Sequence, residues 1–512
     1  MNSNGYARQS SLSGYSVALY KPPAWLGMKR ARVAKDLHTF NSLIPLFSRN
    51  CFSQDLEVVS GAVDNQVLQR SADGSVSIQL TGTSPSDGKN VEVRVTKKGS
   101  PLKGLHWQSI GKVDGGKWSG SVVPVPAGGP YDVELRVAGK KTVDATIKDI
   151  LVGDLWVLAG QSNMEGVGDL EDVEPPNALV HSFDQTDKWD IAKEPLHRLV
   201  DAADRVHWRR NAQKTAEKME GAELEKFIAN RKKGAGLGLP FAVEMVRRTG
   251  VPIGLLPCAH GGTSMDQWSP DQKEKGGDSL YGATIRRVKL VGGKVAGILW
   301  YQGESDASVK GAQEFLGKFE RLVAAFRADF GQPELPFYSV QIGRHVNYTA
   351  QNEWNSVQND QIKSETTIPH SGMVVSCDSV LDDGIHVSTQ DQKKIGRRLA
   401  GLATHAHKNG PRFAALKREG ALVRVTFSGV NGKLRADGRI SGFSIHSPTG
   451  EMLPLIYKAK VDLKDPSSVL LSIGGTIPPG AMLRYGAGRD PNCNLDDEKG
   501  MGVPVFGPVE IE

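Results

Sequence analysis

From Lys148 to His407 the chain alternates continuous apolar runs with amphipathic stretches, and this rhythm constrains the fold most strongly. The runs DILVGDLWVLA, VPIGLLPCA, VAGILWYQG, PFYSVQIG and GMVVSCDS read as strands. Between or after them, GLPFAVEMVRRTG, EFLGKFERLVAAFRADFG and TQDQKKIGRRLAGLATHAHKNG read as helices. A strand apolar at nearly every position is buried on both faces, which is the mark of a parallel sheet covered by its crossover helices. The expected class is therefore α/β over residues 148–410.

The flanks have another rhythm. Across 55–147 the segments SVSIQLTG, NVEVRVTKKG, KWSGSVVPVP and YDVELRVAGKKTVDATI alternate apolar and polar residues between turn clusters such as SADG and PAGGP. Strands at this spacing indicate a β-sandwich-like domain. Across 411–512, ALVRVTFSG, RISGFSIHS, SVLLSIGG and MLRYGAG indicate a second β domain. Residues 1–54 read as a leader, either disordered or an export signal with an interrupted apolar core. That second reading would make the protein extracytoplasmic or secreted. The charged stretch from Trp208 to Lys233 reads as an inserted helix.

Bulk numbers exclude some classes. A chain of 512 residues exceeds one ordinary domain. Its 63 Lys and Arg against 57 Asp and Glu leave only +6, with the signs interleaved. Nucleic-acid binding needs a concentrated basic stripe, so no such partner is expected. No apolar run approaches the roughly 18 residues of a membrane-spanning helix. The four cysteines show no CxxC and the twelve histidines no HExxH, so neither a metal nor a disulfide framework is expected. Cys258 and Cys377, in apolar runs, read as buried core thiols.

In a doubly wound sheet, sites form beyond the carboxyl ends of the strands. Four polar segments fall there: Gly160-Gln161-Ser162-Asn163-Met164, His260-Gly261-Gly262-Thr263-Ser264, Trp300-Tyr301-Gln302-Gly303-Glu304-Ser305, and Asp382-Asp383-Gly384-Ile385-His386. Alone, each has a plain structural reading: a helix N-cap at Ser162, a strand-to-loop turn, a backbone-satisfied Gln302, a capping loop with a surface histidine. Together they supply a hydroxyl, a glycine loop, an amide, and an Asp-x-x-His pair that one short loop presents to it.

GQSNM, HGGTSMDQW, WYQGESDA and DDGIHVSTQDQKKIGRRLA resemble the blocks of the sialate O-acetylesterase family, a carbohydrate esterase branch of the SGNH hydrolases. The resemblance spans roughly half of the chain. It implies a flavodoxin-like three-layer α/β/α domain, flanked here by the N- and C-terminal β-rich domains. It implies Ser162 as nucleophile, His386 as base and Asp383 as its orienting acid. It also implies an oxyanion hole from the N–H groups of Ser162 and Gly262 and the amide of Gln302. Gln161, Asn163 and Glu304 are supporting candidates. Many family members carry Asp-Ile-His without the intervening glycine, so Asp382 is a second candidate for the acid. The implied substrate is an acetylated sugar, with sialic acid, acetylated xylan and other polysaccharides as alternatives. No cofactor is implied. A non-catalytic carbohydrate-binding protein is the competing reading. On the esterase reading, Gln302→Ala keeps its fold and loses activity.

Overall fold

The computed structural model describes residues 55–211, 213, 215–346, 352–406 and 409–512. The leader expected over 1–54 lies outside them. The fold is mixed α/β.

Six parallel strands form the central sheet: β1 (Ala145–Gly160), β2 (Val180–Phe183), β3 (Ile253–Pro257), β4 (Gly297–Tyr301), β5 (Phe337–Gln341) and β6 (Ser371–Val375). Their order is β2-β3-β1-β4-β5-β6, with Trp189–Ile191 antiparallel at the β2 edge. Strands β3, β4 and β5 are buried at every position, as the uninterrupted apolar runs require. The order reverses around β1, so the loops after β1, β3 and β4 converge at one end of the sheet.

The helices are α1 (Ser162–Glu165), α2 (Gly221–Asn230), α3 (Gly238–Thr249), α4 (Leu280–Leu290), α5 (Val309–Phe330), α6 (Asn352–Thr367) and α7 (Thr389–Ala403). Helices α3 and α7 pack together, as do α5 and α6. Helix α5 buries Phe315, Phe319, Leu322, Val323 and Phe326 at helical spacing. It ends at Gly331 in the left-handed conformation, which stops helices at little steric cost.

Strand β1 also belongs to the preceding β region. Its first half pairs antiparallel with Gly128–Val137, its second half parallel with β3 and β4. One continuous strand thus carries the chain through residues 147 and 148. Before it, the sheet of Glu57–Ser60, Ser75–Thr83 and Lys117–Pro126 shares a core with the strands around Asn90–Lys97, built on Ile78, Leu80, Val93 and Trp118. After α7, antiparallel sheets enclose a separate core around Val425, Leu471, Leu483 and Tyr485.

The charged insertion differs from expectation. Among the described residues of this stretch only Gly221–Asn230 is helical, and it buries no residue. Arg209–Arg210 and Ala216–Glu217 pair as a short ribbon instead. Mixed charges support a helix only where no turn interrupts them, and Gly221, at φ +57°, starts this one afresh. Cys258, Cys377 and Cys493 are buried free thiols. No described helix is long and apolar enough to cross a membrane, and no metal-binding cluster occurs among the described residues.

Candidate active site

Strand β1 ends against β4 so closely that residue 160 must be glycine. Its φ is +135°, and a Cβ there would stand 2.2 Å from the Tyr301 carbonyl oxygen. Gln161 then donates its N–H to that same oxygen at 2.9 Å. Gln161, not Ser162, is the N-cap residue, and it makes no side-chain cap. Ser162 is the first helical residue of α1 and is 9% exposed. Its hydroxyl has no hydrogen-bond partner among the described residues, so the cap reading of Ser162 fails. Gln161 Oε1 instead receives the Ser305 N–H at 3.3 Å.

Asn163 joins this turn to the last loop. Its Nδ2 donates to Glu304 Oε1 at 2.9 Å and to the Ile385 carbonyl at 3.4 Å. Its Oδ1 accepts the Val387 N–H at 3.0 Å. The residue after the hydroxyl therefore grips the backbone on both sides of His386. Gln392, on α7, adds a bond to the Asn163 carbonyl at 3.2 Å.

His386 Nδ1 lies 2.8 Å from Asp383 Oδ2, while Asp383 Oδ1 accepts the N–H groups of Ile385 at 3.0 Å and His386 at 2.9 Å. Burial would raise the Asp383 pKa, but these hydrogen bonds outweigh it and hold the carboxyl well below the usual range. Asp382 is engaged elsewhere. Its Oδ2 accepts the N–H of Asp169 at 3.0 Å and of Thr389 at 3.3 Å. Of the two candidate acids, Asp383 meets the imidazole ring.

The glycine loop lies against the serine. A Cβ on Gly261 would stand 3.5 Å from Ser162 Cβ and 3.1 Å from Glu165 Oε2. Gly261 donates its N–H to that same Glu165 oxygen at 2.8 Å. Gly262, at φ +68°, faces open space. The N–H groups of Ser162 and Gly262 have no partner among the described residues, which leaves both available to an anion.

Gln302 does not fit the oxyanion role expected of it. It is fully buried, and its Nε2 donates to the Thr263 carbonyl and to Asp306 Oδ2. Both amide hydrogens are thereby committed. Asp306 in turn accepts the Met265 N–H at 2.9 Å, so Gln302 and Asp306 pin the glycine loop to the end of β4. The expectation for Gln302→Ala changes accordingly: loss of about 1–3 kcal/mol of stability from unsatisfied buried partners. Thermal or urea unfolding checks it, together with turnover per folded molecule.

Residues 152–405 match the family described as carbohydrate esterase, sialic acid-specific acetylesterase. The chain belongs to this family. A probable carbohydrate esterase of Arabidopsis thaliana is 26% identical over 272 residues, 48% of this chain and 88% of that protein. Human sialate O-acetylesterase is 22% identical over 316 residues, 55% of this chain and 59% of the human protein. A carbohydrate acetylesterase structure from Xanthomonas citri shares the fold at a TM-score of 0.59 and 23% identity, over 87% of this chain and 97% of that one. The protein is accordingly a carboxylic ester hydrolase of the carbohydrate esterase group.

Three groups near the esterase's site escaped the sequence reading. Glu165 stands one turn from Ser162, Lys233 Nζ lies 3.3 Å from Asp383 Oδ2, and Asp306 braces the glycine loop. Only the spacing of Glu165 from Ser162 was visible, because the others depend on contacts between distant segments. At the start of the glycine loop, His260 meets His207, their Nδ1 atoms 3.1 Å apart and their rings stacked at 5.3 Å. Burial lowers both pKa values, which favours the uncharged form of the pair.

Burial raises the Glu165 pKa from 4.5 to about 7, against the opposing effects of the Gly261 N–H and Arg231. A carboxyl whose pKa rises on folding is protonated more readily in the fold. Its ionisation therefore destabilises the fold progressively from pH 4.5 to about 7, and fully above that. Glu165→Gln keeps an acceptor for Gly261 and removes the charge. The variant should melt with the wild-type esterase near pH 4.5 and a few degrees higher above pH 7. Melting curves across that range check this; a difference independent of pH contradicts it.

Proposed function

We propose that the protein is a serine esterase that removes O-acetyl groups from acetylated sugars, sialic acid or another glycan, through an acyl-enzyme. The observation that carries this reading is Asn163. Its hydrogen bonds to the backbone on both flanks of His386 tie the Asp383–His386 loop to the residue that follows Ser162, which supports a shared site.

With Asp383 on Nδ1, the neutral imidazole carries its proton there and turns Nε2 toward the substrate side. His386 Nε2 takes the Ser162 proton as Oγ attacks the acetyl carbonyl carbon. The developing oxyanion is received by the N–H groups of Ser162 and Gly262, each such donor being worth about 10²–10³ in turnover. The tetrahedral intermediate collapses, the sugar oxygen leaves with the proton from His386, and Ser162 remains acetylated. Water, deprotonated by the same imidazole, releases acetate. Asp383 stays ionised and stabilises the imidazolium. All of these steps use side chains and backbone of this chain.

We further read residues 148–410 as a three-layer, SGNH-type domain, with 55–147 and 411–512 as flanking β domains. The parallel order of the sheet and the distinct apolar clusters on either side support this.

A panel of acetylated sialic acid and acetylated xylan, assayed for free acetate, tests the activity and sorts the substrates. Acetate from at least one of them is expected. Binding without release would favour the non-catalytic carbohydrate-binding reading instead.

A further inference from the structure

A cleft of about 690 Å³ opens in the C-terminal β region, away from Ser162 in sequence and outside the machinery above. Its floor is the outward face of β7 (Phe443–His446) and β8 (Met482–Tyr485), which pair antiparallel with Ser444 opposite Arg484 and His446 opposite Met482. Alternation turns Ile445, Leu483 and Tyr485 into the core, where all are fully buried, and leaves Ser444, His446 and Arg484 on the cleft side. His446 Nδ1 lies 3.1 Å from the Gly450 carbonyl, so Nδ1 carries the proton and Nε2 accepts from Ser444 Oγ at 2.9 Å. That leaves the Ser444 oxygen as an acceptor for a ligand hydroxyl.

The wall is built before any ligand arrives. Asn355 Oδ1 accepts the Gly488 N–H at 2.8 Å, and its Nδ2 donates to the Gly486 and Gly488 carbonyls at 3.2 Å. The Arg489 guanidinium stands 4.6 Å from the centre of the Trp354 ring. Asp490, the acid among the described lining residues, is already matched by Arg344 Nε at 2.7 Å. Arg484, half-buried on the floor, has no carboxylate partner among the described residues, and burial depresses its pKa. The volume suits a short oligosaccharide, and the charge favours an anionic one.

The cleft adjoins the Asp383–His386 loop through two consecutive residues. His345 donates its N–H to the Arg489 carbonyl at 2.8 Å, and Val346 donates to the Gly384 carbonyl at 2.8 Å. Consecutive residues bridge the two, so the Arg489 and Gly384 oxygens lie within about 10 Å of each other.

We propose that this cleft is a second glycan site, in which Arg484 receives the carboxylate of an acidic sugar unit on the chain whose acetyl group is presented to Ser162. This rests on the esterase reading for its purpose, but its binding does not depend on catalysis. The test is calorimetric titration of the full chain with trigalacturonate, an acidic probe, and with xylotriose, a neutral one, in wild type, Ser162→Ala and Arg484→Gln. Trigalacturonate should bind at least about tenfold more tightly than xylotriose. Its affinity should fall with added salt, survive Ser162→Ala, and drop about tenfold in Arg484→Gln. Arg484→Gln should melt like wild type and hydrolyse p-nitrophenyl acetate at the wild-type rate, since Arg484 touches none of the catalytic groups. Equal affinity for the two probes, or trigalacturonate binding unchanged by Arg484→Gln, overturns the proposal. Failure of wild type to release acetate from any ester would instead sink the esterase reading, leaving the titration to be judged by itself.

Discussion

Ser162→Ala is expected to lower acetate release by about 10⁴–10⁶-fold, the range seen when a triad nucleophile is removed. The fold should hardly notice. The Ser162 hydroxyl makes no hydrogen bond among the described residues, so its loss leaves no buried partner unsatisfied. Alanine is also a better helix former than serine at the start of α1. Melting temperature within about 1 °C of wild type, equivalent to roughly half a kcal/mol for a domain of more than about 200 residues, is the companion expectation. A large fall in activity with an unchanged melting curve separates a nucleophile from a structural residue. The proposed oxyanion donors survive this substitution, because they are backbone groups, and would account for any residual rate above that in water.

Asp383→Asn is expected to cost about 10⁴-fold in kcat, the scale seen when an orienting carboxylate becomes an amide. Asparagine can keep Oδ1 as acceptor for the Ile385 and His386 N–H groups, so the loop geometry is retained. Its NH₂, turned to His386 Nδ1, would demand an acceptor there and move the ring proton to Nε2, where it blocks attack. The salt contact with Lys233 is lost as well, a minor matter for a pair this exposed. The Asp383 carboxyl, held below its usual pKa, adds stability that is present above about pH 3.8 and lost only as pH falls through its lowered value. Asp382→Ala gives the contrasting outcome. It unties the N–H groups of Asp169 and Thr389, and should lower stability by about 1–3 kcal/mol while retaining most of the turnover. Steady-state kinetics of both variants on one acetyl ester, beside their unfolding curves, decide between the two acids.

The strands were legible because burial on both faces writes itself as unbroken apolar sequence. The candidate site was legible as a set of polar blocks because each block followed such a strand. Direction was not. Gln302 stands at a strand end like Ser162, but a short turn over Glu304–Asp306 brings Asp306 back onto its amide, and nothing in WYQGESDA shows which way the amide faces. Asn163 was visible only as a neighbour of the serine; its grip on residues more than two hundred positions away belongs to tertiary structure. The insertion misled because alternating charges promise a helix, whereas its first half is a ribbon whose partners are local backbone. The change from β region to central sheet left no linker to read, because strand β1 serves both.

The most direct measurement is the site of acylation. Wild type, mixed with an excess of acetylated substrate and quenched in acid within one turnover, is digested and its peptides are weighed. A fluorophosphonate probe gives a stable version of the same adduct. The acetyl or phosphonyl group should sit on Ser162, and His386→Ala should abolish it. Label on another residue, or undiminished acetate release by Ser162→Ala, would contradict the account.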